Sequence, residues 1–152
     1  MDIKETTDLI FKKLEENPSL IYSESDLKCQ LYSELIKDNT LTILTEWAVK
    51  KGIRTDMVVY NKEELTITKK KIDITKYKVI IELKAFYYES QKGKREIINE
   101  NIGYLLDLKE FTESLFLICF DLTKNPIPEE ELNKLRKEGV ILIYKHFDNQ
   151  PK

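Results

Sequence analysis

Two segments of this chain are apolar almost without interruption: Val79–Leu83 (VIIEL) and Leu115–Phe120 (LFLICF), while Val140–Tyr144 (VILIY) reads as a last strand. A strand with one wet face alternates apolar and polar residues, because successive side chains point to opposite sides. A continuous apolar run needs cover on both faces, which a sheet flanked by helices supplies. Helical patterns lie between and before these runs. Ile3, Leu9, Ile10 and Leu14 fit a first helix that ends at Asn17–Pro18. A second starts near Ser23, with Ser23 or Ser25 as its cap and Leu27, Leu31, Leu35 and Ile36 as its apolar stripe. Gly93 opens a long helix through Ile97, Ile98, Tyr104, Leu105 and Leu108 to about Phe111. Pro126 and Pro128 bracket a turn, and the helix Glu129–Lys137 follows and stops at Gly139.

The remaining segments read as strands. Leu41–Trp47 alternates, Gly52 turns the chain, and Thr55–Tyr60 (TDMVVY) is a second strand. After a polar break at Asn61–Glu64, Leu65–Ile74 alternates apolar residues with Thr and Lys, as a half-exposed edge strand with lysines outward would. The order is α, α, β, β, β, β, α, β, α, β. Strands that cross over through helices imply an α/β three-layer sandwich: a central mixed β-sheet flanked by helices. With 152 residues, 41% of them apolar, the chain suits a single domain over residues 1–152. No apolar run is long enough for a bilayer, and the N-terminal amphipathic pattern lacks the layout of a signal peptide, so the expectation is a cytoplasmic protein with no membrane partner.

Composition also removes several chemistries. One histidine, His146, and two distant cysteines leave no Cys/His zinc site, and Cys29 and Cys119 read as buried free thiols. Four glycines leave no room for a phosphate-binding loop of the usual form. The net charge of −2 does not by itself announce a polyanion partner. Basic residues nevertheless cluster at 50–54, at 69–71 and at 92–95. Each cluster alone reads as a solvated turn, whereas several near one site would form an anion-binding surface.

What stands out is how the first apolar run ends. In Lys78–Lys84 (KVIIELK) the strand finishes on Glu82 and Lys84, which share one face, with Leu83 on the other. Charges at the end of a buried strand are costly unless paired or used, and a plain salt bridge is the ordinary explanation. Asp56, at the entry of TDMVVY, changes the balance. If that strand pairs antiparallel with VIIELK, Asp56 comes level with Glu82 and two carboxylates converge beside a lysine. Adjacent carboxylates repel, and a hard cation with oxygen ligands removes that penalty. Such a cation, with Lys84 holding a water, is a histidine-free way to hydrolyse a phosphodiester.

Asp56 on one strand and Glu82-Leu83-Lys84 on the next resemble the PD-(D/E)XK, or restriction-endonuclease-like, nuclease family. The pattern extends to an acidic residue on an earlier helix, and to a long helix (Asn101–Leu108) and buried strand (LFLICF) after the motif, from about Glu24 to Asp121. The resemblance implies a metal-dependent nuclease, with DNA favoured over RNA, using Mg2+ or Mn2+. Asp56 and Glu82, with the Leu83 carbonyl, would be metal ligands. Lys84 would orient the water, and Glu24 would be the helix carboxylate, with Glu34 as competitor and Glu46 as third choice. It also implies that Gln91, Lys92, Lys94 and Arg95 meet the nucleic-acid backbone, although they equally suit a plain loop and helix start. A homodimer or a larger complex would complete the binding surface. The departure from the family is that Arg54-Thr55, not a proline, precedes Asp56. Tyr87 and Tyr88 read as residues closing the core, with base stacking as the alternative. Trp47 reads as core and Asp107 as helix surface. Two other outcomes are an inactive nuclease-fold module that binds nucleic acid or a partner protein, and an α/β protein in which Glu82 and Lys84 merely pair.

Overall fold

The computed structural model describes residues 2–17, 23–68, 72–74, 76–89 and 92–148. The first helix, α1 (Ile3–Glu16), is capped by Asp2, whose carboxylate accepts from the amides of Lys4 and Glu5. The second, α2 (Glu24–Leu35), starts at Ser23, whose hydroxyl accepts from the Asp26 amide at 3.1 Å. That bond satisfies one of the free N–H groups of the first turn, and it fixes Glu24 as the first helical residue.

The strands β1 (Leu41–Lys50), β2 (Ile53–Asn61) and β5 (Tyr77–Phe86) pair antiparallel in that order. A separate two-stranded sheet, β3 (Leu65–Ile67) and β4 (Ile72–Ile74), lies between β2 and β5 in the chain. The helix α3 (Lys94–Leu106) carries the chain from β5 to β6 (Thr112–Asp121). The helix α4 (Glu129–Leu135) carries it from β6 to β7 (Ile141–His146), and both strands pair parallel to their predecessors. The result is one mixed sheet of five strands, ordered β1-β2-β5-β6-β7.

The central strands β5 and β6 are covered on both sides, as their composition demands, whereas on the edge strand β7 Ile141 is 47% exposed. Met57, Val59, Ile81, Leu83, Phe116, Ile118 and Phe120 pack with Ile10 and Leu14 of α1 and Leu27 and Leu31 of α2. The intervening residues, Val58, Ile80, Leu117, Cys119 and Leu142, pack with Ile98, Ile102 and Leu105 of α3 and Leu132 of α4. Strand parity thus sorts the side chains into two cores, one on each side of the sheet. Among the described residues no helix is long and apolar enough to cross a membrane.

Several expectations are corrected. Leu65–Ile74 is a hairpin, with Leu65 opposite Ile74, and not a single strand. Pairing with a neighbour a few residues away costs less loop-closure entropy than joining the main sheet. The lysines at 69–71 lie outside the described residues. The long helix stops at Leu106, and its continuation tightens into a 3₁₀ turn, Lys109–Phe111. The last helix stops at Leu135, short of Lys137. Cys119 is buried but Cys29 is exposed. Cys29 sits two residues from Leu27 and Leu31 on α2, so about 200° of rotation carries it away from the stripe that faces the sheet. Ile36 is exposed too, because the helix ends before it.

Candidate active site

The β2–β5 ladder pairs Val59 with Val79, Val58 with Ile80 and Met57 with Ile81. One step further, Asp56 stands opposite Glu82. There the two carboxylates take over the bonding. The Leu83 amide donates to Asp56 Oδ2 at 2.8 Å, and the Asp56 amide donates to Glu82 Oε2 at 3.3 Å. Both residues are only 9% exposed. The parting strands therefore hold two acids in fixed positions by backbone hydrogen bonds.

Burial, with the neighbouring Asp56 charge second, pushes Glu82 up to about 7. Its folded-state pKa lies above the ordinary carboxylate range, so the folded protein binds the extra proton between pH ~4.5 and ~7. Stability from this group is complete below that window and is lost as pH rises through it. In EDTA, the Glu82→Gln protein is expected to lose less melting temperature between pH 5 and pH 8 than the parent. Parallel profiles in thermal unfolding would remove Glu82 as the source.

Two lysines reach this acidic pair. Lys84 Nζ lies 3.2 Å from Glu82 Oε1 and 3.7 Å from Glu24 Oε1. The other oxygen of Glu24 accepts from the Ala85 amide at 3.2 Å, which pins the start of α2 to the end of β5. Burial pulls the Lys84 ammonium down, but the charges of Glu82, Glu24 and Asp56 outweigh it and hold its pKa above the usual lysine value. The second lysine, Lys28, lies one helical turn beyond Glu24 on α2. Its Nζ is 3.0 Å from Asp56 Oδ1 and also contacts Glu46. Burial pulls Lys28 down as well, and its bonds to Glu46 and Asp56 again prevail.

Glu46 belongs to β1 but departs from strand geometry, with φ 52°. Thr45 pairs with Met57 and Trp47 with Thr55, so Glu46 falls level with Asp56. Glu46, Asp56 and Glu82 thus form a row across three strands. A left-handed backbone costs a non-glycine residue about 1–2 kcal/mol, and here it accompanies the Lys28 contact.

The structure therefore brings together Asp56, Glu82, Lys84 and Glu24, and adds Lys28 and Glu46 to them. Leu83 presents its amide to Asp56 and its side chain to the α1–α2 core. Glu34 is placed elsewhere, bonded to Lys13 of α1 at 2.6 Å and to Lys37. The basic residues expected to meet a phosphate backbone fare differently. Gln91 lies outside the described residues. Lys92 is ion-paired with Glu100 and Arg95 with Glu131. Lys94 is 7% exposed, 2.8 Å from the fully buried Asp121, and also bonded to Thr123, an arrangement that ties the start of α3 to the end of β6.

Tyr87 and Tyr88 are corrected as well. The strand ends at Phe86, which is buried, and the two tyrosines are exposed beyond it. Trp47 is half-buried against the α3-side core and donates to the Tyr77 hydroxyl at 2.7 Å. Asp107 is exposed. A cavity of ≈ 350 Å³ opens beside Glu82, lined by Arg54, Glu100, Asn101 and Tyr104. Burial, with the charges of Glu82 and Asp56 after it, pushes the Tyr104 hydroxyl up to about 12.

Lys28 was not legible as a site residue, although its i,i+4 spacing from Glu24 places both on one helix face. The donor set is all oxygen, which suits Mg2+ or Mn2+ rather than zinc. A divalent ion would offset the repulsion between two carboxylates held this close. Among the described residues no group of three or more His, Cys, Asp or Glu side chains is placed to hold a metal ion. No family model, curated protein or solved structure matches this chain.

Proposed function

We propose that this chain is a metal-dependent nuclease of the PD-(D/E)XK type, with a restriction-endonuclease-like fold, that hydrolyses phosphodiester bonds, in DNA before RNA. The observation that carries the reading is Asp56 standing opposite Glu82 across two strands, with Lys84 3.2 Å from Glu82. Asp56 and Glu82, with the Leu83 carbonyl, would hold Mg2+ or Mn2+. When bound, such an ion lowers the pKa of a water and stabilises charge developing on a phosphate.

The chain's own residues set the stage for that chemistry. Lys84 is charged at neutral pH, so it donates hydrogen bonds to a water or a phosphate oxygen and does not take a proton from them. Glu24 holds Lys84 in place from the start of α2. Arg54, lining the cavity beside Glu82, offers a guanidinium to a phosphate group.

The test is cleavage of labelled duplex, branched and single-stranded DNA and RNA with Mg2+ or Mn2+, against an EDTA control. Absence of metal-dependent cleavage across the panel overturns the reading. Glu24→Gln is expected to slow cleavage by about 10–100-fold, as loss of an outer partner of a metal site does. Glu34→Gln should leave the rate unchanged, since Glu34 bridges α1 and α2. Equal rates for the two variants would remove Glu24 from the site.

One observation favours a second reading, an inactive nuclease-fold module that binds nucleic acid or a partner protein. Lys28 and Lys84 already neutralise much of the charge of Asp56, Glu46, Glu82 and Glu24, so the cluster holds without an ion. Calorimetry separates the two, because an inactive module gives no Mn2+-dependent heat.

A further inference from the structure

Asp56 is engaged from two sides. Oδ2 accepts from the Leu83 amide, and Oδ1 faces the Lys28 ammonium at 3.0 Å. The Lys28 side chain is 15% exposed, so this contact is largely shielded from water. Screening by solvent is correspondingly weak, and the ammonium acts on Asp56 as a strong local charge. A divalent ion on Asp56 would bring two further positive charges to within a few ångströms of it. Repulsion at that distance, in a partly dry site, is far larger than thermal energy.

We propose that Lys28 is the resident counter-ion of the acidic row, and that its ammonium and a divalent cation exclude one another at Asp56. This rests on the reading of Asp56 as a metal ligand. Loading the ion detaches Lys28 from Asp56, while Glu46, across the row on β1, remains its partner. Lys84 is ion-paired with Glu82 and Glu24, and Lys28 is the lysine in contact with Asp56. Lys28 is thus a positioning residue with two effects: it lets the metal-free acids stand side by side, and it weakens the ion that replaces it.

The experiment is a Mn2+ titration by calorimetry on the parent, Lys28→Met, Lys28→Arg and, as a distant control, Lys13→Met. Lys28→Met is expected to bind Mn2+ about tenfold tighter than the parent. Lys28→Arg, which keeps the charge, and Lys13→Met should match the parent. In EDTA the Lys28→Met protein should melt below the parent, and saturating Mn2+ should close the gap. A measurement on the parent itself guards against misfolding of the variant. Amine-reactive labelling of Lys28, read by peptide mass, should rise several-fold on adding Mn2+. If the parent binds Mn2+ but Lys28→Met binds no tighter, or labelling does not move, the counter-ion role is overturned and the nuclease reading stands. Binding that appears only in Lys28→Met supports the exclusion. Binding in neither protein overturns both.

Discussion

Asp56→Asn should leave the fold intact and, if the proposed nuclease activity holds, lower metal-dependent cleavage about a thousandfold or more, the scale expected when a group that places charge against the transition state is lost. The substitution is nearly isosteric. The asparagine oxygen can still accept from the Leu83 amide, so the bond that ties β2 to β5 at the site survives. Glu82 loses the like charge that helps to raise its pKa, which favours the folded state at neutral pH. What disappears is one of the two anionic oxygens that would share a hard cation. Lys84→Ala should match it in rate loss by removing the only ammonium bonded to Glu82 among the described residues. Circular dichroism would confirm the fold, and gel assays at matched Mg2+ would give the rates. Asp56→Asn and Lys84→Ala proteins that both cut like the parent would end the proposed mechanism.

The second large effect falls on stability. Lys94→Met should cost about 3–5 kcal/mol, because it strands a carboxylate with no access to water. Asp121 is 0% exposed and accepts from Lys94 at 2.8 Å, from the Thr123 amide at 2.9 Å, and from the Tyr144 hydroxyl. Burial pushes its pKa up, but the bonds to Lys94, Tyr144 and Thr123 overcome that and hold it below the usual range. A depressed carboxylate stabilises the fold above its unfolded pKa and loses that contribution in acid, so the parent should weaken as pH falls below ~4. For a chain of this size the Lys94→Met melting temperature should fall by roughly 10 °C. Adding Asp121→Asn should recover much of the loss, because the stranded charge goes with it. Thermal unfolding reads all of these. A shift of only a degree or two would mean that Lys94 is not the structural partner of Asp121, and would restore it as a candidate phosphate contact.

Much of the architecture was legible because it depends on short-range periodicity. VIIEL and LFLICF declared themselves as strands wet on neither face, and two layers of helices cover them. That Asp56 would come level with Glu82 was legible only on the condition that the two strands pair antiparallel, a condition the β2–β5 ladder meets. Where long side chains decide the outcome, the reading failed. Lys92, Lys94 and Arg95 look alike in a string, yet only Lys94 turns inward, because Asp121, 27 residues away, receives it. Lys28 carries no mark in the sequence, since its reach to Asp56 depends on how α2 lies over the sheet. The sequence already favours Glu24 over Glu34, and Glu24 lies against the end of β5, where the Ser23 cap starts α2. Tyr87 and Tyr88 continue an aromatic run past the last paired residue, and nothing local marks where that strand stops.

The left-handed residue at Glu46 bears on how copies of the molecule meet. Ten extended residues along the rim of a sheet would offer a neighbouring chain an open row of amide and carbonyl groups. In β1 that row is broken twice, at Glu46 and at the bulge between Ala48 and Lys50. Only the short stretch Leu41–Thr45 stays regular. The kink that delivers an acid to Lys28 therefore also blunts the border, and it guards the protein against growing into continuous ribbons.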